Sequence, residues 1–245
     1  MGIAEINNKT SLIKSNVPKV YEAGQNAGGG ADYDEAYDEG YQAGYTDGQE
    51  SVPNHLYYAK KTNAIYTGSV FPENFEFMAR IKECTDYGYM FNNCRNLKSV
   101  KIISETQDTV LDMTAFCSIA SNGTPTLELV DFTEFNKKFD DIFNLFQYQK
   151  KLKTVLGEID LSPCTRTTNA FRENQALEEI RFKAGTIPIS IHFSASPLLS
   201  ATSIQSIIDG LATVETAQTL TLHKNIVLTD EQKATISSKG WTLAQ

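Results

Sequence analysis

No segment of the 245-residue sequence approaches the roughly eighteen uninterrupted apolar residues of a membrane-spanning helix. Membrane insertion is therefore not expected. The first twenty residues lack the apolar core and small-residue cleavage site of a secretory leader. Ile6 stands where an N-myristoylation signal carries Ser or Thr, so neither export nor a lipid anchor is expected. No cluster of Lys and Arg occurs, and with a formal charge of -8 and pI near 5.0 a sequence-independent grip on nucleic acid or anionic lipid is not expected. Histidine is scarce: His55, His192 and His223 lie far from one another and from Cys84, Cys94, Cys117 and Cys164, among which there is no C-x-x-C. That spacing holds no zinc site, and the cysteines read as small buried hydrophobes, a disulfide being the alternative.

Catalytic signatures are missing as well. The chain has no G-x-S-x-G, no H-E-x-x-H and no phosphate loop. Carboxylate pairs such as Asp140 with Asp141 and Glu178 with Glu179 read as solvated surface. The run "DYDEAYDEG" is not a calcium loop, because Tyr37 takes the required glycine position and Ala43 that of the final glutamate. The N-x-T triplets at Asn8 and Asn122 read as chance matches. No catalytic residue, cofactor or metal is expected, and the reading is of a protein that is not an enzyme.

What is present is a repeat. "YGYMFNNCRNLKSVKI" sets Phe91, Cys94, Leu97, Val100 and Ile102 at intervals of three and then two, the spacing of a short helix running into a strand. The offsets return at Phe171, Asn174, Leu177, Ile180 and Phe182, and at Phe146, Gln149, Leu152 and Val155. A further copy begins at Phe116, is interrupted by "SNGTPT", and ends at Leu127, Val130 and Phe132. Phe75 and Phe77 supply an earlier strand, 25 residues before Val100 and Ile102, and "HFSASPLL" a later copy whose strand is lost. One such unit cannot cover its own apolar surface. Stacking in parallel hides it, which predicts an α/β solenoid of about five or six irregular repeats of 22 to 30 residues.

The pattern F-x-x-C/N-x-x-L-x-x-I/V-x-I/F resembles the leucine-rich repeats of the BspA-like type, and "MFNNCRNLKSVKI" and "AFRENQALEEIRF" carry the likeness. It covers about residues 70 to 225, with Gly157 departing at the second strand position of its copy. The resemblance implies a leucine-rich repeat fold and leaves the ligand open.

The ends differ from the middle. Residues 31 to 50 place Tyr33, Tyr37, Tyr41 and Tyr45 beside Ala36, Gly40, Gly44 and Gly48, two adjacent helical stripes stepping by four. Either helices of two or three copies pack rings over glycines here, giving a homo-oligomer (dimer or trimer), or the segment is a solvated acidic linker. Residues 1 to 55 hold nine acidic and three basic residues, most of the net charge of the whole chain. The expected layout is an attachment segment and Gly-rich linker at 1 to 30, the Tyr/Gly helical arm at 31 to 52, the repeats at 53 to 225 and a C-terminal cap at 226 to 245. "SIQSIIDGLATV" reads as an amphipathic helix, "QTLTLHKN" as a strand, and "LTDEQKATISSKGWTLA" as a Thr-capped helix closed by Gly240 and a last strand.

"NNKTSLIKSNVPKVYEAG", "DEGYQAGYTDGQE" and "TAQTLTLHKNIVLTDEQKATISSKGWTLA" resemble segments of tail-associated proteins of phages and prophages of Gram-positive gut bacteria, where they flank leucine-rich repeats. This resemblance implies a virion component, assembled in the host cytoplasm. Its N-terminal arm would contact other tail or baseplate proteins, and its repeats would face a host cell-surface protein or glycan. A bacterial surface adhesin with the same solenoid is the alternative.

Strand alternation says where binding would occur. With Val100 and Ile102 inward, Ser99 and Lys101 turn outward, together with Leu129 and Asp131, Thr154 and Leu156, Glu179 and Arg181, and Thr219 and Thr221. These ten residues are the expected partner-binding strip, with loop contacts as the other option.

Overall fold

The computed structural model describes residues 55–58, 66–81, 86–104, 110–135 and 138–245. The N-terminal attachment segment, the arm residues Tyr33, Tyr37, Gly40, Tyr41, Gly44, Tyr45 and Gly48, and Cys84 lie outside them.

The strands pair in parallel, and most are of three to six residues, Val70–Ile81 and Arg95–Ser104 being longer. β1 (His55–Tyr58), β2 (Val70–Ile81), β3 (Arg95–Ser104), β5 (Leu129–Asp131), β7 (Thr154–Ile159) and β8 (Glu179–Phe182) follow one another in a six-stranded sheet. β4 (Val110–Asp112) pairs β6 (Lys138–Asp141), and β9 (Ile191–Phe193), β10 (Gln218–Leu222) and β11 (Trp241–Ala244) form a third parallel sheet. With helices α1 (Ala201–Gly210) and α2 (Asp230–Ser238), the protein is α/β with few helices and mostly parallel strands.

The expected apolar positions are the core: Val100, Ile102, Val130, Val155, Ile180 and Phe182 are buried on one side of the large sheet, and Leu97, Leu127, Leu152 and Leu177 precede them. The register of β2 differs from the sequence reading. Phe77 pairs with Val100 and Phe75 with Leu97, because irregularities between Val70 and Glu76 shift the strand against β3.

The segments with three-residue spacing were expected to be short helices, and they are strings of turns. In a helix every N–H would return to a carbonyl of its own segment. Here every second one does something else. The N–H groups of Tyr87, Tyr89, Phe91 and Asn93 donate to the carbonyls of Asp112, Thr114, Phe116 and Ser118. Those of Met113, Ala115, Cys117 and Ile119 donate to Asp141, Phe143, Leu145 and Gln147, and those of Ile142, Asn144, Phe146 and Tyr148 to Arg166, Thr168, Ala170 and Arg172. The intervening N–H groups close local turns, as in Asn92 to the carbonyl of Tyr89. In this alternation residues such as Tyr89, Asn93, Ala115, Asn144 and Tyr148 take φ of 50 to 63°, a region in which Asn is several-fold enriched.

The same ladder corrects one alignment. Phe91, Cys117 and Phe146 are equivalent donors, so Cys117 and not Phe116 belongs to the phenylalanine column, and Phe116 sits one residue earlier. The rings of Phe91, Phe116, Phe146, Phe171 and Phe193 are nevertheless all buried, and the pairs Phe91–Phe116 (5.4 Å), Phe146–Phe171 (6.2 Å) and Phe171–Phe193 (4.6 Å) run through the core. The Cys/Asn position of the repeat has a physical reason. Cys94 Sγ donates to the carbonyl of Tyr66 (3.0 Å), Gln149 Nε2 to that of Cys117 (2.6 Å) and Asn174 Nδ2 to that of Phe146 (2.7 Å). In each case a small buried donor satisfies a carbonyl of the preceding segment.

The C-terminal elements follow the sequence reading. Thr229 caps α2 in a capping box with Gln232, and Gly240 at φ +85° turns the chain into β11. α1 covers the free edge of β8. Ile180 N–H donates to Ser203 Oγ and Phe182 N–H to Ser206 Oγ, at 3.0 and 2.9 Å, so two hydroxyls replace the next strand. The covering of the sheet therefore begins with α1, upstream of residue 226. Lys239 Nζ donates to the carbonyls of Ile208, Asp209 and Leu211 at the end of α1, and burial pushes its pKa down.

Candidate functional site

Two columns of outward residues run across the large sheet. Glu76, Ser99, Leu129, Thr154 and Glu179 are successive partners in register, and so are Met78, Lys101, Asp131 and Leu156. Seven of the ten expected strip residues are thus brought together in register, and Arg181 lies on the same strand as Glu179 but pairs outside these columns. The columns exist because the intervening residues, Val100, Val130 and Val155, are held in the core.

Thr219 and Thr221 are not part of this strip. They lie on β10 in the three-stranded sheet, where Thr219 pairs with Thr242 and Thr221 with both Ala244 and His192. The reason is α1: its serine hydroxyls occupy the β8 edge on which a further strand would have continued the strip.

Gly157 sets the geometry at the strip's centre. Its φ is +86°, and a Cβ there would lie 2.6 Å from the carbonyl carbon of Phe132. The left-handed turn makes an irregularity between Thr154 and Glu158, so that Glu158, and not Leu156, pairs with Arg181. Glu158, Glu76 and Met78 are strip members that the sequence reading passed over. The alternation in "NFEFM" marks the last two, and Gly157 inside a strand pattern marks the irregularity.

The electrostatics leave the middle of the strip nearly neutral. Lys101 Nζ lies 2.7 Å from Glu134 Oε1 and 3.6 Å from Asp131 Oδ2. The hydrogen bond to Glu134 raises the Lys101 pKa, with Asp131 adding to it. Beside that group Leu156 is 39% exposed, with Thr154 half-buried and Arg181 exposed at the far end. Such a surface can make apolar and hydrogen-bonding contacts with a partner.

The thiols sit away from this face. Cys94, Cys117 and Cys164 are free and buried. Burial pushes all three pKa values up, that of Cys164 to about 11, which keeps these thiols protonated and unreactive. Among the described residues, no His, Cys, Asp and Glu side chains converge as a metal site needs, and no helix is long and apolar enough to cross a membrane. No family model, characterised protein or solved structure matches the chain.

Proposed function

We propose that the chain is a leucine-rich repeat solenoid of the BspA-like kind, serving as a binding module in a phage tail or baseplate. In this reading the N-terminal residues attach to the particle and associate with further copies, and the repeats meet a host cell-surface protein or glycan. The observation that carries the binding role is the strip itself. Seven outward residues from four successive strands stand in register on a parallel sheet, with an exposed leucine among them. The phage setting is supported by the resemblance of the terminal segments.

Binding of the fluorescently labelled full chain to intact cells of a panel of Gram-positive gut bacteria tests the proposal. Saturable binding to at least one member is expected, falling about tenfold or more in a Leu156→Asp, Arg181→Glu variant, the loss of two exposed contacts of the strip. Binding that survives this double substitution unchanged, in a variant of unaltered melting temperature, removes the strip from the proposal. Binding to no member removes the attachment role.

A further inference from the structure

Among the described residues the ladder of turns breaks after its third step, and a groove opens there. Three times in succession, four alternate N–H groups donate to the next segment. The next donors in the series are the N–H groups of Thr167, Asn169, Phe171 and Glu173, and no backbone hydrogen bond carries them across to residues 190–196. Only the hydroxyl of Thr167 crosses, to the carbonyl of Ser190. From Phe171 to Phe193 the chain takes 22 residues, against 25 from Phe146 to Phe171, and the shorter step sets residues 190–196 out of register with the ladder.

Between the two segments lies a groove of about 600 Å3. Its inner side is closed by the stacked rings of Phe171 and Phe193, 4.6 Å apart, so a strand cannot be inserted between the segments and the groove is open only outward. Its far wall is fixed, because Gln218 Oε1 accepts from both the N–H and the hydroxyl of Ser190.

The charges around the groove are unequal in availability. Arg166 is paired with Asp141 at 2.7 Å and lies over Phe143, and Glu173 faces Lys150 at 3.9 Å. Arg172 rests against the ring of Tyr148, 5.2 Å from its centroid, and has no carboxylate partner among the described residues. The groove thus presents one guanidinium without a carboxylate partner, a row of unpaired N–H donors, and the hydroxyl and amide groups of Thr168, Ser194 and Asn169. Donors of this kind favour an anion, and hydroxyls and amides beside them match a polyhydroxylated ring.

We infer that this groove binds a saccharide carrying a carboxylate or a phosphate, the anion meeting Arg172 and the unpaired N–H groups and the sugar hydroxyls meeting the Thr, Ser and Asn side chains. The site is separate from the sheet strip and stands whether or not the attachment reading does.

Two-dimensional amide NMR of the full chain, titrated with glucuronic acid, glucose 6-phosphate and glucose, tests the inference. At least one anionic sugar is expected to shift the Asn169, Phe171 and Glu173 amides saturably, and the stronger of the two identifies the anion. Glucose is expected to bind about tenfold more weakly or worse, the factor a charge-assisted contact supplies. In Arg172→Met the anionic sugars lose about tenfold in affinity, while amides outside the groove keep their positions and show the fold intact. Equal response to glucose, shifts confined to other residues, an unaffected Arg172→Met variant, or no response to any probe overturns the site.

Discussion

Gly157 shows how much can depend on one missing side chain. The repeat pattern asks for an apolar strand residue at this place, and a Cβ in the observed conformation would fall 2.6 Å from the Phe132 carbonyl carbon, part of the backbone and unable to swing aside. Gly157→Ala is therefore expected to destabilise the protein by about 1–3 kcal/mol, the usual cost of forcing an L-residue into such a region. Thermal unfolding measures this, and a variant melting at the wild-type temperature refutes the steric account. The repeat's Cys, Gln and Asn are a second residue-scale lesson. Sequence spacing marks Cys94, Gln149 and Asn174 as equivalent without saying why unlike side chains share a place. The common factor is donation to a buried carbonyl of the segment before. The misplacement of Phe116 has the same origin: a ring one residue out of line is still fully buried, so hydrophobicity alone does not fix the register.

At the scale of elements, the strands were legible wherever an apolar-x-apolar pair has one buried face. The turn strings were not, because three-residue spacing is shared by a helical turn and by consecutive turns, and hydrogen bonds to a distant segment leave no local trace. β4 and β6 escaped for a related reason: each offers a single buried residue, Leu111 or Phe139, too little for alternation to show. The groove beside Arg172 depends on a ladder being interrupted, and its one sequence trace is the shortened step to Phe193. α1, by contrast, was readable from its amphipathic pattern, though not its task. Replacing Ser203 and Ser206 by Val leaves the N–H groups of Ile180 and Phe182 without acceptors, at about 1–3 kcal/mol for each buried donor. A lower melting temperature and concentration-dependent association in sedimentation are expected, since an uncovered strand edge recruits another chain. Unchanged melting and a single sedimenting species would show that the hydroxyls do not seal the edge.

For the whole molecule, charge links segments that are distant in sequence. Lys101 with Asp131, Lys153 with Glu128, Arg166 with Asp141 and Lys183 with Asp160 each join one segment to the next. Exposed pairs of this kind contribute little individually. Asp160 is the most enclosed carboxylate of the four. Burial opposes its charge, but bonds from Ser162 and Lys183 outweigh that, and its pKa is held below the ordinary 3.8. A depressed carboxyl stabilises the fold above its unfolded-state pKa and loses that contribution as pH falls through the folded value. Asp160→Asn is thus expected to melt below wild type at pH near 7, and the gap to close as the pH drops below 3.8. A gap that persists unchanged in acid assigns the loss to packing instead.

The hydroxyl-bearing helix at the β8 edge has an architectural corollary. Ser203 and Ser206 offer the sheet what any following strand would offer, so the junction between Phe182 and Ser200 is a natural splice point. Extra segments could be added or removed there while the terminator is kept, changing the length of the exposed face without redesigning either end.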